Sequence, residues 1–285
     1  GHFALTFVAE EPVTDVTLSF RVEPELVPQL DGCDFAGERF DGLRRCWMNA
    51  FTLNPASLTM GDNPILGGAG HLAIHWKSDM ASVTPELPGG VRILDFVRNS
   101  LERTFTRHTD DRGKMTGYGW ENGACNLIAL CDYVAATGDV DFARAHHETL
   151  ARIVAYNLGL DTDDDGILEA AYHGNDFHGE KTSLNWWDAF AFGHKDAYGN
   201  LVYYRALRRS RNVFAALKDD DTVARIDAFL SRFGSRFHET FHNPATGVYA
   251  GWISRDGRVH DYQFTFITAM AINEGLVERE RARDM

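Results

Sequence analysis

Cysteine is scarce in this chain. The four present, Cys33, Cys46, Cys125 and Cys131, are too few in 285 residues for a disulfide scaffold. None of their spacings matches a zinc site. Cys125 and Cys131 fall on one expected helix, six residues apart and facing different ways, so they do not bridge each other. Buried free thiols in a reducing, cytoplasmic compartment are expected. Basic charge is also short: Lys and Arg number 28 against 41 Asp and Glu, a net charge of −13. That balance argues against nucleic acid or an anionic membrane surface as partner. No apolar run reaches the roughly 20 residues that span a bilayer. The opening Gly1-His2-Phe3-Ala4 has no basic region followed by an apolar stretch, so no signal peptide is expected.

Aromatic residues, by contrast, are plentiful. Six Trp, nine Tyr and 19 Phe can fill a sizeable core and still line a cleft. Residues 1–24 alternate apolar and polar, as in Val13-Thr14-Asp15-Val16-Thr17-Leu18, and are interrupted by Pro12. This is a strand–turn–strand signature, the tail of a β-domain or an appendage. Residues 25–37 form a linker with Pro28 and Gly32, and 38–285 form a helical domain. Its stripes are Phe40, Leu43, Trp47 and Phe51; Leu94, Val97, Leu101 and Phe105; and Ala124, Leu127, Ile128, Cys131 and Val134, stopped at Gly138.

A fourth helix opens at Asp139 or Asp141 and runs through Phe142, Leu150, Ile153 and Val154, placing His146-His147 on a solvated face. A fifth starts at Asp196, and a sixth is capped within 219–221. A hairpin over 248–259 turns at Asp256-Gly257. A seventh helix runs from about Gln263 through Leu276 into a charged end. Short joints such as Thr137-Gly138-Asp139 imply antiparallel helix pairs. Long loops at 63–88, 110–122, 161–188 and 242–261 separate the pairs, which indicates an α/α toroid, complete or partial. Such loops are where a rigid scaffold displays functional residues.

The motif that carries most chemistry is Asn185-Trp186-Trp187-Asp188, ahead of Lys195-Asp196-Ala197-Tyr198-Gly199-Asn200. An indole stacks on the apolar face of a pyranose while polar groups bind its hydroxyls. A carboxylic acid beside such surface has its pKa pushed up, as a general acid at neutral pH requires. The alternative is two core Trp with Asp188 as a helix cap.

Asp161-Thr162-Asp163-Asp164-Asp165-Gly166-Ile167-Leu168-Glu169 has the alternating carboxylates and central Gly of a calcium loop. Its Glu comes at the ninth position, not the twelfth. It reads either as a calcium site built on Asp161, Asp163, Asp165 and Glu169 or as a turn with solvated carboxylates. No organic cofactor is implied. Gly67-Gly68-Ala69-Gly70 lacks the Lys and the strand of a phosphate loop, and no His pair has zinc-protease spacing.

Helix pairs with acid- and aromatic-rich loops resemble the six-hairpin glycosidases, the (α/α)6-barrel enzymes that include trehalases, processing α-glucosidases, glucoamylases and α-L-rhamnosidases. Trp186-Trp187-Asp188-Ala189-Phe190-Ala191-Phe192 resembles the trehalase stretch that holds the general acid, and Asp196-Ala197-Tyr198-Gly199-Asn200 resembles its following helix start. His75-Trp76-Lys77-Ser78-Asp79-Met80 is similar to the family's Trp and Asp element that binds sugar hydroxyls. Tyr118-Gly119-Trp120-Glu121-Asn122-Gly123 lies where these enzymes line the pocket.

The resemblance implies Asp188 as general acid and, in inverting members, a Glu near the end of the barrel as general base. Among the residues present, Glu121, flanked by Trp120 and Asn122 in a predicted pocket loop, is the best second carboxylate, or alternatively a first-turn helix acid. The resemblance also implies Trp76, Asp79, Trp120, Asn122, Trp186 and Trp187 as sugar-binding. Trp76, Asp79 and the indoles also admit core or helix-start readings. No Arg follows Asp188 within 189–194, unlike trehalases. The helices number about seven or eight against a barrel's twelve, so a C-terminally incomplete barrel associating with its missing part is expected. The expected activity is hydrolysis of α-linked glucosides or rhamnosides, with inversion. A phosphorylase, lyase or epimerase on the same toroid, or a non-catalytic sugar-binding fragment, are the alternatives.

Overall fold

The computed structural model describes Thr17 and residues 51, 53, 54, 58–60, 80–84, 86, 90–115, 122–175 and 192–285. The strands expected in residues 1–24, the linker and the Phe40–Trp47 stripe lie outside the described residues.

Among the described residues, besides a helical stretch at 80–83, the helices are α1 (Ile93–Arg107), α2 (Asn122–Thr137), α3 (Val140–Ala145), α4 (His147–Leu158), α5 (Ala197–Leu217), α6 (Asp220–Phe241), α7 (Thr265–Asn273) and α8 (Arg279–Asp284). Seven two-residue strands accompany them: β1 (Leu53–Asn54), β2 (Thr59–Met60), β3 (Lys195–Asp196), β4 (His242–Asn243), β5 (Val248–Tyr249), β6 (Trp252–Ile253) and β7 (Val259–His260). Antiparallel pairing joins β1 to β2 and β4 to β5, and sets β6 between β3 and β7. No helix among the described residues is long and apolar enough to cross a membrane.

The core is built around α2 and α5. Every residue from 123 to 131 is buried, and so is every residue from 197 to 203. A helix buried on all sides must be apolar all round, and Ala-Cys-Asn-Leu-Ile-Ala-Leu-Cys in α2 comes close to that. Helix α6 is one-sided instead. Ile226, Phe229, Phe233, Phe237 and Phe241 make its inner stripe, with consecutive Phe rings 4.9–5.5 Å apart. Tyr204 of α5 stacks on Phe233 at 4.7 Å. Each such ring contributes about 1.5–3 kcal/mol by leaving water.

Aspartates start the helices as the sequence suggests. Asp139 accepts from Phe142 N, Asp196 from Gly199 N and Asp219 from Thr222 N. The joints Gly138-Asp139 and Lys218-Asp219 are short, whereas long connections separate α4 from α5 and α6 from α7. Cys125 and Cys131 are free and buried, and burial pushes the Cys131 thiol up to about 12.

Several expectations need correction. The fourth helix is two, broken at His146. That imidazole is not on a solvated face: it packs on Phe105 and Phe142 at 5.3 and 4.9 Å, with Nε2 2.9 Å from Glu102. Residues 248 and 259 are not hairpin partners. Val248 pairs with Asn243 and Val259 with Ile253, so the hairpin that turns at Asp256-Gly257 runs from 252 to 260. The seventh helix stops at Asn273, and the charged end forms its own short helix, α8.

Candidate functional site

Asp188, Glu121, Trp76, Asp79, Trp120, Trp186 and Trp187 lie outside the described residues. Asn122 is the first residue of α2. What the structure does describe are the two chain segments that flank the Trp-Trp-Asp motif, and the ground they stand on.

Those segments meet. A Cβ on Gly174 would fall 1.5 Å from the Gly193 carbonyl oxygen, and one on Gly193 would fall 2.8 Å from the Tyr172 ring. Gly174 also has φ +75°, a conformation glycine alone adopts freely. Residues 174 and 193 are therefore pinched backbone to backbone, 19 positions apart in sequence. The buried Trp252 indole donates from Nε1 to the Gly174 carbonyl at 2.7 Å. Phe192 stacks on the same indole at 4.7 Å.

Backbone bonds complete the seam. Ala170 N donates to His194 O, His194 N to Ile253 O, Arg255 N to His173 O and Ala197 N to Gly251 O. Buried Asn200 ties the end of the acidic loop to α5. Its Oδ1 accepts from Leu168 N, and its Nδ2 donates to the carbonyls of Leu168 and Asp196.

Around Trp252 the hairpin builds an aromatic floor. His260 lies parallel to the indole, 4.4 Å away and tilted 8°. Phe264 contacts Phe192 at 5.0 Å, and half-exposed Tyr262 flanks Trp252 at 5.7 Å. The His260 tautomer follows from its neighbours. Ser254 Oγ has one proton and gives it to Asp256 Oδ1 at 2.5 Å. His260 Nε2, 3.1 Å from that Oγ, must then be the donor. Nδ1 is left a buried acceptor without a partner among the described residues. Burial, followed by the Arg258 charge, holds the His260 pKa below its ordinary value, so the ring that stacks on Trp252 is neutral at pH 7.

The acidic loop is solvated on one side and buried on the other: the side chains of Asp163 and Asp164 are 55% and 84% exposed. Asp161 is 4% exposed and Glu169 2%. Asp161, Asp163, Asp165 and Glu169 each bring one oxygen to within 4.8 Å of the others. Lys195 of β3 reaches into this group, with Nζ 2.5 Å from Asp165, 3.1 Å from Asp163 and 3.2 Å from Glu169. Burial alone would lower the ammonium's pKa, but the hydrogen bonds to Asp165, Asp163 and Glu169 outweigh it and raise the pKa.

Asp163 is pushed up by burial and pulled further down by Lys195, ending below the usual carboxylate range. Asp161 ends above that range, since burial and the neighbouring carboxylates outweigh its one backbone bond from Gly166. Lys195 was not among the candidate residues. A partly buried lysine leaves no periodicity signal, and only its place next to the capping Asp196 marks it.

Comparison with known proteins bears on the fold. No family model matches the sequence, and no curated protein matches it. The structure is similar to that of a GH78 family rhamnosidase of Bacillus sp. GL1, with a TM-score of 0.57 and 20% identity, over 75% of this chain and 22% of that one. It is also similar to a rhamnosidase from Klebsiella oxytoca with rhamnose bound, with a TM-score of 0.52 and 17% identity, over 67% of this chain and 36% of that one. The fold is thus mainly α and of the α/α-toroid type, and the chain spans well under half the length of either neighbour.

Proposed function

We propose that this chain belongs to a glycoside hydrolase acting on α-linked rhamnosides by carboxylate general acid catalysis, with Asp188 as the acid. The observation that carries the reading is the pinch of Gly174 against Gly193 on the Trp252 floor. It brings together the two described ends of the segment bearing Trp186, Trp187 and Asp188, beside the Trp252 ring. Loops anchored on rigid scaffolds are where catalytic groups sit, and apolar surroundings keep a carboxylic acid protonated at neutral pH. The two neighbours named as rhamnosidases favour rhamnosides over α-glucosides as the substrate class.

In this reading the Asp188 carboxyl protonates the glycosidic oxygen as the anomeric C–O bond breaks. The indole of Trp187 supports the departing sugar, with Trp186, Trp120, Trp76, Asp79 and Asn122 lining the pocket. Glu121 activates the attacking water, which gives inversion if the two carboxyls stand about 6.5–9.5 Å apart.

The test is product analysis with the natural full-length protein on an aryl α-L-rhamnoside and an aryl α-D-glucoside. Free rhamnose, released without added phosphate and without an unsaturated product, is expected. A requirement for phosphate, or an ultraviolet-absorbing unsaturated sugar, would instead indicate a phosphorylase or a lyase.

A further inference from the structure

The loop at 161–169 has the carboxylate pattern of a cation site, and a cation already stands in it. Three carboxylates lie within 3.2 Å of Lys195 Nζ. Calcium binds oxygens at about 2.3–2.6 Å, so opposed ligand oxygens stand about 4.6–5.2 Å apart. The four acidic side chains, each with an oxygen within 4.8 Å of the others, match that spacing.

Other bonds around the loop are already committed. Glu169 Oε2 accepts from the backbone N and the hydroxyl of Thr162, both at 2.7 Å, which leaves Oε1 facing the ammonium. Asp161 Oδ2 accepts from Gly166 N at 3.0 Å, whereas its Oδ1 is buried without a hydrogen-bond partner. Outside the cluster, Arg232 of α6 bonds Asp164 at 2.7 Å and stands 3.7 Å from Asp161. Three carboxylates thus converge on one ammonium with Asp161 beside them, and two buried oxygens, Asp161 Oδ1 and Glu169 Oε1, lack a hydrogen-bond donor among the described residues.

We propose that Lys195 is the resident cation of a divalent-cation site, so that the native loop needs no metal and removal of the lysine side chain uncovers a calcium site at Asp161, Asp163, Asp165 and Glu169. The inference stands on this cluster alone and does not depend on the glycosidase reading. Its physical basis is that four close carboxylates cannot all stay ionised in a partly buried place without a compensating charge. An ammonium fixed to β3 supplies that charge. It also ties the loop to the strand: Glu169 and Lys195 form a β-bridge as well as an ion pair.

The experiment is thermal unfolding of the natural full-length protein and its Lys195→Met variant, in EDTA and in millimolar calcium, with magnesium as control. Wild-type Tm should move by less than about 1 °C between EDTA and calcium. Lys195→Met in EDTA should fall by about 6–15 °C, as expected for a broken buried ion pair. Saturating calcium should then restore about 5 °C or more. Magnesium, smaller and reluctant to shed water, should restore less.

A wild type stabilised by several degrees in calcium would overturn the proposal, because a metal and not the lysine would then be the resident cation. A Lys195→Met protein as stable in EDTA as wild type would overturn it too. Should Lys195→Met fail to fold in either condition, Asp163→Asn and Asp165→Asn are added to it. Folding restored by this loss of charge supports the proposal, and continued failure refutes it.

Discussion

The indole of Trp252 links three parts of the molecule. It stacks on Phe192, lies parallel to His260 and donates a hydrogen bond to the Gly174 carbonyl. Gly174 in turn presses on Gly193 where no side chain fits. Gly174→Ala would combine a left-handed backbone with a Cβ 1.5 Å from a carbonyl oxygen, so the backbone must shift. We expect a loss of about 2–4 kcal/mol in urea unfolding. A variant within about 0.5 kcal/mol of wild type would show that the two segments are not held together as described.

Nothing in the local sequence announces this pinch. Gly174 reads as one more loop glycine, and its contact with Gly193 exists only once β3 has paired with β6. The aspartate caps were legible because a cap is a local device. Asp139, Asp196 and Asp219 bond backbone N–H groups three residues ahead, within reach of a sequence window.

At the scale of elements, helices with a one-sided apolar stripe were readable and short strands were not. The Phe229–Phe241 spacing in α6 carries its own period, whereas two-residue strands such as β6 and β7 are fixed by tertiary pairing. That is why the hairpin's partners were misplaced. The break at His146 was missed for a similar reason: the ring turns inward onto Phe105 and Phe142, a preference set by packing, not by helical period.

The β6–β7 hairpin carries its own pH dependence through His260. Its folded pKa is depressed by burial, so the unfolded chain takes up a proton that the folded chain resists. This contribution is fully present above the unfolded His pKa of about 6.5 and is lost as pH falls towards the folded value. Stability at pH 5.5 should therefore be lower than at pH 7.5, and His260→Phe should lessen the difference. His238 and His108, both with depressed pKa values, contribute with the same sign. An unchanged pH dependence in His260→Phe, measured by urea unfolding, would contradict the assignment.

At the scale of the whole molecule, the helices set the framework. Helix pairs with short joints, built around the buried α2 and α5, give the toroid-type framework that the two rhamnosidase structures share. The framework was legible from helical periodicity and loop length, which are sequence-level properties. The candidate Asp188 and its indoles were singled out by residue type alone, whereas the seam of residues 170–175, 192–200 and 252–264 is assembled by tertiary contacts.

The central claim is that Asp188 delivers a proton in glycoside hydrolysis. The most direct test is kcat for an aryl α-L-rhamnoside with a poor leaving group, in the natural full-length protein and in Asp188→Asn. Loss of a general acid should lower kcat about 10²–10⁴-fold while Tm stays at the wild-type value. A fall of less than about tenfold, with the fold intact, would contradict the claim.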